Sequence, residues 1–284
     1  MAGTRERVEQ AHRLIASVRS FGGELANCPI WVFEARPSEA PCTPLQGEGV
    51  RILPLAVPET VTHYWFAGKV FACAQAEALA GPEVQSLVWI SPDCLIVQSP
   101  TLFDLGTSFD AAARPVHIRN VGLPPSEPLN AFWRGVYQAV GIEEVEVTVE
   151  SFVDGQDLRA YFNSHALAVR PAAGIFQRWF ERFEALVCDE AYQSTAIEHE
   201  LHRIFLHQAV LSALLVTHLE PEHIRLLPTS YIYPYNLHND VPTSRRAEAL
   251  NDLVCIAYED RSLDPGAMDD ILVHEPLRSW LADH

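Results

Sequence analysis

The sequence predicts an α/β fold: a mixed, mostly parallel central sheet with helices on both faces. Three observations carry this. Short apolar, β-branched runs alternate along the chain with longer stretches whose apolar residues recur at helical spacing, the pattern of strands joined by helical crossovers. Glycine and proline pairs punctuate the boundaries, Gly22-Gly23 and Gly81-Pro82 among them. The chain has 284 residues, 48% hydrophobic and 20% charged, close to the size of about 250–300 residues at which a single core stops growing. One domain over residues 1–284, ending in a polar tail over 260–284, is therefore expected.

Taken in order, Val8, Ala11, Leu14, Ile15 and Val18 fall on one face and predict a helix over Arg5 to Phe21. Strands follow at Pro29 to Ala35 and Arg51 to Val57. Phe66, Val70, Cys73 and Ala74 predict a helix over about Tyr64 to Ala80. Ser86 to Ser91 is almost wholly apolar, as a central strand covered on both faces should be, and Leu95 to Val97 continues as a further extended piece. Strands are expected at Pro115 to Ile118, Val145 to Val149, Ala166 to Val169, Ile224 to Leu227 and Leu253 to Tyr258. Helices carry Phe132, Val136 and Val140; Phe176, Trp179, Phe183 and Val187; and Leu201, Ile204, Leu211 and Leu215. The tail has an apolar anchor around Leu277 to Leu281.

With 37 acidic against 20 basic residues the formal charge is -17 at pH 7, a field that repels nucleic acid and anionic lipid. An anionic nucleotide ligand would need local cations or a metal against that background. No run reaches the roughly 18 apolar residues of a membrane span, and no signal-peptide core follows the first residues, so a cytoplasmic location is expected. Six single cysteines with no CxxC pair read as reduced, mostly buried thiols.

Four patches carry chemistry. HYWFAGKVFACAQAEAL brings Lys69 and Glu77 on a helix; SLVWISPDCLIV ends a strand at Ser91 and Asp93; DLRAYFNSHALAVRP holds Asn163 and Ser164; LHQAVLSALL opens with His207 and Gln208. In this order they resemble the GT-A family of nucleotide-diphospho-sugar transferases, over roughly Val8 to Tyr258. The resemblance implies a GT-A fold and transfer of a sugar from a nucleotide-diphosphate donor to an unidentified acceptor. It also implies Mn²⁺ or Mg²⁺ held by an Asp-x-Asp motif that neutralises the leaving diphosphate. Lys69, Ser91, Asp93, Asn163 and Ser164 would then meet the donor, Asp93 the metal, and His207 and Gln208 the acceptor side.

The family pattern is incomplete here. The first aspartate of the pair is Ser91, so one carboxylate is left to hold a hard cation, and the metal should be weakly held. The late stretch VCIAYED offers no histidine ligand unless His238 or His274 supplies one, and His207 stands where the family has an aspartate. The strand that usually opens the nucleotide-binding half is not evident before the first helix. Two readings follow: a glycosyltransferase with weak or absent metal dependence, or a catalytically inactive binding protein on the same fold.

Each residue also has a plainer reading. Asp93 after Pro92 is a common turn residue, Lys69 a solvated helix residue, Asn163 and Ser164 local backbone caps, and His207 a satisfied helix histidine. The cluster EHELH lacks HExxH spacing, so His199 and His202 read as ordinary helix residues rather than zinc ligands. The absence of GxSxG, GxGxxG and GxxxxGK[ST] disfavours hydrolase, dinucleotide and P-loop chemistry.

Overall fold

A computed structural model describes residues 4–35, 41–258, 263 and 271–284. In chain order the elements are α1 (Arg5–Phe21), β1 (Ile30–Ala35), β2 (Val50–Leu55), α2 (Ala67–Leu79), β3 (Leu87–Ile90), β4 (Cys94–Ile96), β5 (Ala111–Ala113) and α3 (Ala131–Val140). Then come β6 (Thr148–Glu150), β7 (Asp157–Arg159), β8 (Ala166–Val169), α4 (Ile175–Cys188), α5 (Glu190–Ala196) and α6 (Glu200–His218). The chain ends with β9 (Ile224–Leu226), β10 (Tyr233–Pro234), β11 (Cys255–Ala257) and α7 (Leu277–Asp283). It divides into two interleaved compact units, one of Met1–Pro54, Ile90–Leu102 and Leu227–His284, the other of Leu55–Trp89 and Phe103–Leu226.

In the first unit α1 starts where Thr4 accepts a hydrogen bond from the Arg7 amide and stops at Gly22, as the apolar spacing and the glycine pair predict. Its buried Ser17 hydroxyl accepts from the Ile96 amide at 3.1 Å and so ties the helix to β4. β11 pairs antiparallel with β4, Ile256 opposite Leu95, and parallel with β10. β1 and β2 pair and build a small core in which Val32, Leu45 and Val50 meet Ala11 of α1. The final residues are anchored: Leu277 is buried, and the Trp280 ring meets Phe21 edge-on at 5.5 Å while its indole N–H donates to Ser20 Oγ. Residues 259–262 and 264–270, which take in much of the expected tail, lie outside the described residues.

The second unit holds a four-stranded sheet ordered β3-β8-β5-β9. β5 runs antiparallel to β8 and parallel to β9. Every residue of β5 and β8 has 0% exposure, so the inner strands are sealed from water. A β6–β7 hairpin centres on buried Val149 opposite buried Leu158. Helices α2, α3, α4 and α6 form the rest of the core through Val70, Trp133, Trp179, Phe183 and Leu211. Each large apolar side chain buried this completely contributes roughly 1.5–3 kcal/mol. Glu77, on α2, is 6% exposed and accepts from the Phe176 and Gln177 amides at 3.1 and 2.8 Å, capping the first turn of α4. Burial pushes its carboxyl pKa up, and those amide bonds oppose the rise.

The α/β class stands, with strand directions more evenly mixed than the alternation of elements suggests. Among the described registers, β4–β11, β5–β8 and β6–β7 are antiparallel and β5–β9 and β10–β11 parallel. Two local expectations are corrected. The apolar run at Leu87–Ile90 is an edge strand of intermediate burial, not a central one. The strand expected at Pro115 to Ile118 is a single bridge from Pro115 to Phe162, and the strand itself lies earlier, at Ala111–Ala113. Proline at its first position removes a ladder donor, which displaces regular pairing upstream. Among the described residues no helix is long and apolar enough to cross a membrane.

Candidate active site

In the second unit three segments far apart in sequence converge on one buried polar cluster. α2 delivers Lys69, the turn before β8 delivers Asn163 and Ser164, and the middle of α6 delivers His207 and Gln208, all 6% exposed or less. Lys69 Nζ donates to Ser164 Oγ at 3.0 Å and to the Ser164 carbonyl at 3.2 Å, and lies 3.4 Å from His207 Nε2. Ser164 Oγ is also 3.0 Å from His207 Nε2 and 3.1 Å from Gln208 Oε1, which accepts from the Ser164 amide as well. Such a network is possible inside the core only because each polar atom finds partners.

His207 Nδ1 faces the Ile204 carbonyl at 2.9 Å. A carbonyl only accepts, so Nδ1 holds the proton and Nε2 presents its lone pair to Lys69 and Ser164. Burial first, then the Lys69 ammonium, pushes the His207 pKa well below 6.5. The ring is therefore neutral at neutral pH and a weak base. Its role in this geometry is to orient the hydroxyl and the ammonium rather than to withdraw a proton. The Trp179 indole N–H, 2.6 Å from the His207 carbonyl, pins the helix at this turn.

A second group of side chains adjoins the first. Asn163 Oδ1 accepts from the His165 amide at 2.7 Å and faces His165 Nδ1 at 2.9 Å, while Asn163 Nδ2 lies 3.3 Å from His117 Nε2. The two imidazoles stack at 6.1 Å. His117 and His165 are absent from the sequence-level candidates; for His165 the position immediately after Asn163-Ser164 is the one available signal, and His117 has none. A groove of about 520 Å³ elsewhere in this unit, lined by Ala131, Gly135, Ala139, Asp189 and Tyr192 among others, shares no residue with the cluster.

Ser91 and Asp93 belong to the first unit. Ser91 is 6% exposed, and its carbonyl accepts from the Cys94 amide in a turn. Asp93 Oδ2 is 2.8 Å from Arg7 Nη1, which also donates to Gln10 Oε1 at 3.0 Å. The Asp93 carbonyl accepts from the Tyr258 amide. One carboxylate already engaged by a guanidinium, next to a single hydroxyl, is a poor donor set for a hard divalent ion, which takes several oxygen ligands. Among the described residues no three His, Cys, Asp or Glu side chains are grouped to hold a metal. Among the described residues, those at this position do not fit such an ion. His199 and His202 lie at the start of α6, where His202 stacks on Phe132 at 4.4 Å, a packing role.

The mixed α/β fold is that of GT-A-type glycosyltransferases. The galactosyltransferase LgtC, solved with donor and acceptor sugar analogs, superposes with a TM-score of 0.52 at 13% identity over 98% of each chain. An active-site glutamine-to-glutamate mutant of LgtC gives 0.54 at 14% identity, covering 99% of this chain and 94% of that one. Identity this low speaks for the fold alone. No curated protein matches the sequence. The chain belongs to the Rhodobacterales glycosyltransferase domain family, whose model matches residues 4–219.

Proposed function

We propose that this chain transfers a sugar from a nucleotide-diphosphate donor to an acceptor hydroxyl, with weak or absent dependence on a divalent metal. In that step the bond from the anomeric carbon to the phosphate oxygen breaks, and the diphosphate keeps the electron pair. The acceptor oxygen bonds to the anomeric carbon and gives up its proton to the departing diphosphate oxygen. The observation that carries the reading is the buried Lys69–Ser164–His207–Gln208 network, built from three segments in a glycosyltransferase-family chain.

Lys69 supplies positive charge that an anionic donor needs in a chain of formal charge -17. His207 and Gln208 fix the Ser164 hydroxyl and amide, and Asn163 with His165 extends the row of hydrogen-bonding groups. LgtC too has a glutamine named in its active site, the residue type that Gln208 brings to this cluster. GT-A enzymes commonly use Mn²⁺ or Mg²⁺, and the Arg7–Asp93 pair is the reason for proposing little such dependence here. The family match at 4–219 runs through segments of both units, which supports a single transferase domain. Six unbridged cysteines, Cys28 and Cys188 exposed, are in keeping with a cytoplasmic setting.

The same Arg7–Asp93 pair favours a second reading, a protein that binds the nucleotide-sugar without turning it over. Calorimetric titration with UDP, GDP, CDP and dTDP in EDTA tests both. Binding of at least one nucleotide is expected. Binding accompanied by release of nucleotide diphosphate from the matching nucleotide-sugar supports transfer, binding without release supports the second reading, and no binding overturns both.

A further inference from the structure

Two aromatic rings stand in water immediately before α2, Trp65 at 57% and Phe66 at 39% exposure. Water-exposed aromatic pairs are unusual enough to ask what covers them. Both rings are held in place from α6. The Trp65 indole N–H donates to Glu200 Oε1 at 2.8 Å. The Phe66 ring lies 4.6 Å from the His207 ring, with Lys69 Nζ also 4.6 Å from its centroid. Phe66 adopts a left-handed backbone, φ 60°, which a bulky side chain seldom takes and which persists where surrounding contacts impose it.

The side chain so placed lies against Lys69 and His207 of the cluster while keeping part of its surface open. Glu200 and His207 are seven residues apart on α6, so the anchor points of the two rings are separated by about 10 Å along the axis.

We propose that Trp65 and Phe66 form a stacking platform for a pyranose ring. A sugar is amphipathic: one face carries C–H groups that lie against an aromatic surface, and its edge carries hydroxyls that seek charged or neutral hydrogen-bonding groups. The rim offers both kinds of partner, aromatic faces and beside them the Glu200 carboxylate, while the buried Lys69 ammonium backs the Phe66 ring from below. The inference rests on the glycosyltransferase reading for its biological meaning and on Trp65 and Phe66 for its geometry. The pyranose belongs either to an acceptor or to the donor, and the two sources bind under different conditions.

The test is saturation-transfer NMR on the full chain with methyl pyranosides of gluco, galacto, manno and N-acetylglucosamine configuration, alongside UDP, GDP and their common sugar conjugates. Saturation concentrated on one C–H face of a free methyl pyranoside identifies an acceptor platform. A pyranose that shows it only as a nucleotide-sugar identifies a donor platform. In either case Trp65→Ala weakens the sugar contact about five- to tenfold, the order expected for loss of one aromatic face. Trp65→Tyr restores most of it, and a Tm unchanged between variants shows that folding is not the cause. Bare UDP or GDP binds wild type and Trp65→Ala alike. If nucleotides bind but no pyranose contact depends on Trp65, the platform is wrong and the transferase reading survives; if sugars bind through Trp65 and no nucleotide binds, the reverse holds. No sugar contact under any condition overturns the platform outright.

Discussion

Replacing Lys69 by Met keeps the stem that fills the core and deletes the ammonium. With it go two contacts to Ser164 at 3.0 and 3.2 Å, a longer one to His207 at 3.4 Å and the cation–π contact with the Phe66 ring at 4.6 Å. The Ser164 hydroxyl can turn to His207 Nε2 or Gln208 Oε1, both within 3.1 Å, so it stays satisfied. The Ser164 carbonyl loses its ammonium donor, at a cost of about 1–3 kcal/mol for a buried acceptor. Against this, removing a buried charge recovers part of its desolvation penalty. The net expectation is a loss of about 1–2 kcal/mol, or a Tm lower by about 2–8 °C for a chain of this size. The same substitution removes one of the two main causes that hold the His207 pKa down, so that pKa moves up toward 6.5 while burial keeps it below. Thermal unfolding gives the first quantity, and an NMR titration of the His207 ring gives the second. A Tm that rises, or a His207 pKa that stays put or falls, refutes the placement of Lys69 as the charge at the heart of the cluster.

Other outcomes follow from the same structure. Because the folded-state pKa of His207 lies below that of the unfolded chain, its contribution is complete above pH 6.5 and is lost as pH falls toward the folded value; unfolding at pH 7 and pH 5 should differ less in His207→Gln than in wild type, and an equal difference assigns the acid sensitivity elsewhere. Glu77→Ala uncaps α4 and should destabilise by about 1–2 kcal/mol, read by urea unfolding; a change near zero means the two amide bonds are replaced by water. Arg7→Ala should cost about 0.5 kcal/mol, since the pair is partly exposed, and should make the protein more responsive to Mn²⁺ in a thermal-shift series; an unchanged Mn²⁺ response would show that Arg7 is not what occupies Asp93.

Much of the fold is legible because it rests on helical periodicity. α1 ends where Thr4 and Gly22 mark it, and α4 and α6 follow their apolar stripes. The misses have particular causes. α2 starts three residues later than its apolar face suggests because Phe66 leaves the helical region. β5 is three alanines, a composition with high helix propensity, and becomes a strand only because β8 and β9 flank it. β3 is apolar enough for a sheet centre, yet it sits at an edge in the observed order.

The site was legible to a similar degree. Lys69, Ser164, His207 and Gln208 were individually visible as a resemblance, but their convergence depends on α2, the turn before β8 and α6 packing together, which no local pattern encodes. Asn163 joins through His165 and His117 rather than through Lys69. The resemblance implies that Ser91 and Asp93 face the donor; the structure adds an ion pair between Asp93 and Arg7, a residue that the sequence presents as one charge among many on α1.

The most direct test is donor turnover. Release of nucleotide diphosphate from a panel of nucleotide-sugars is followed in EDTA, with wild type, Lys69→Met and Ser164→Ala side by side. The account predicts release by wild type without added metal, and a fall of about a hundredfold or more in both variants. Release that needs Mn²⁺, or that continues unchanged when Lys69 and Ser164 are replaced, contradicts it.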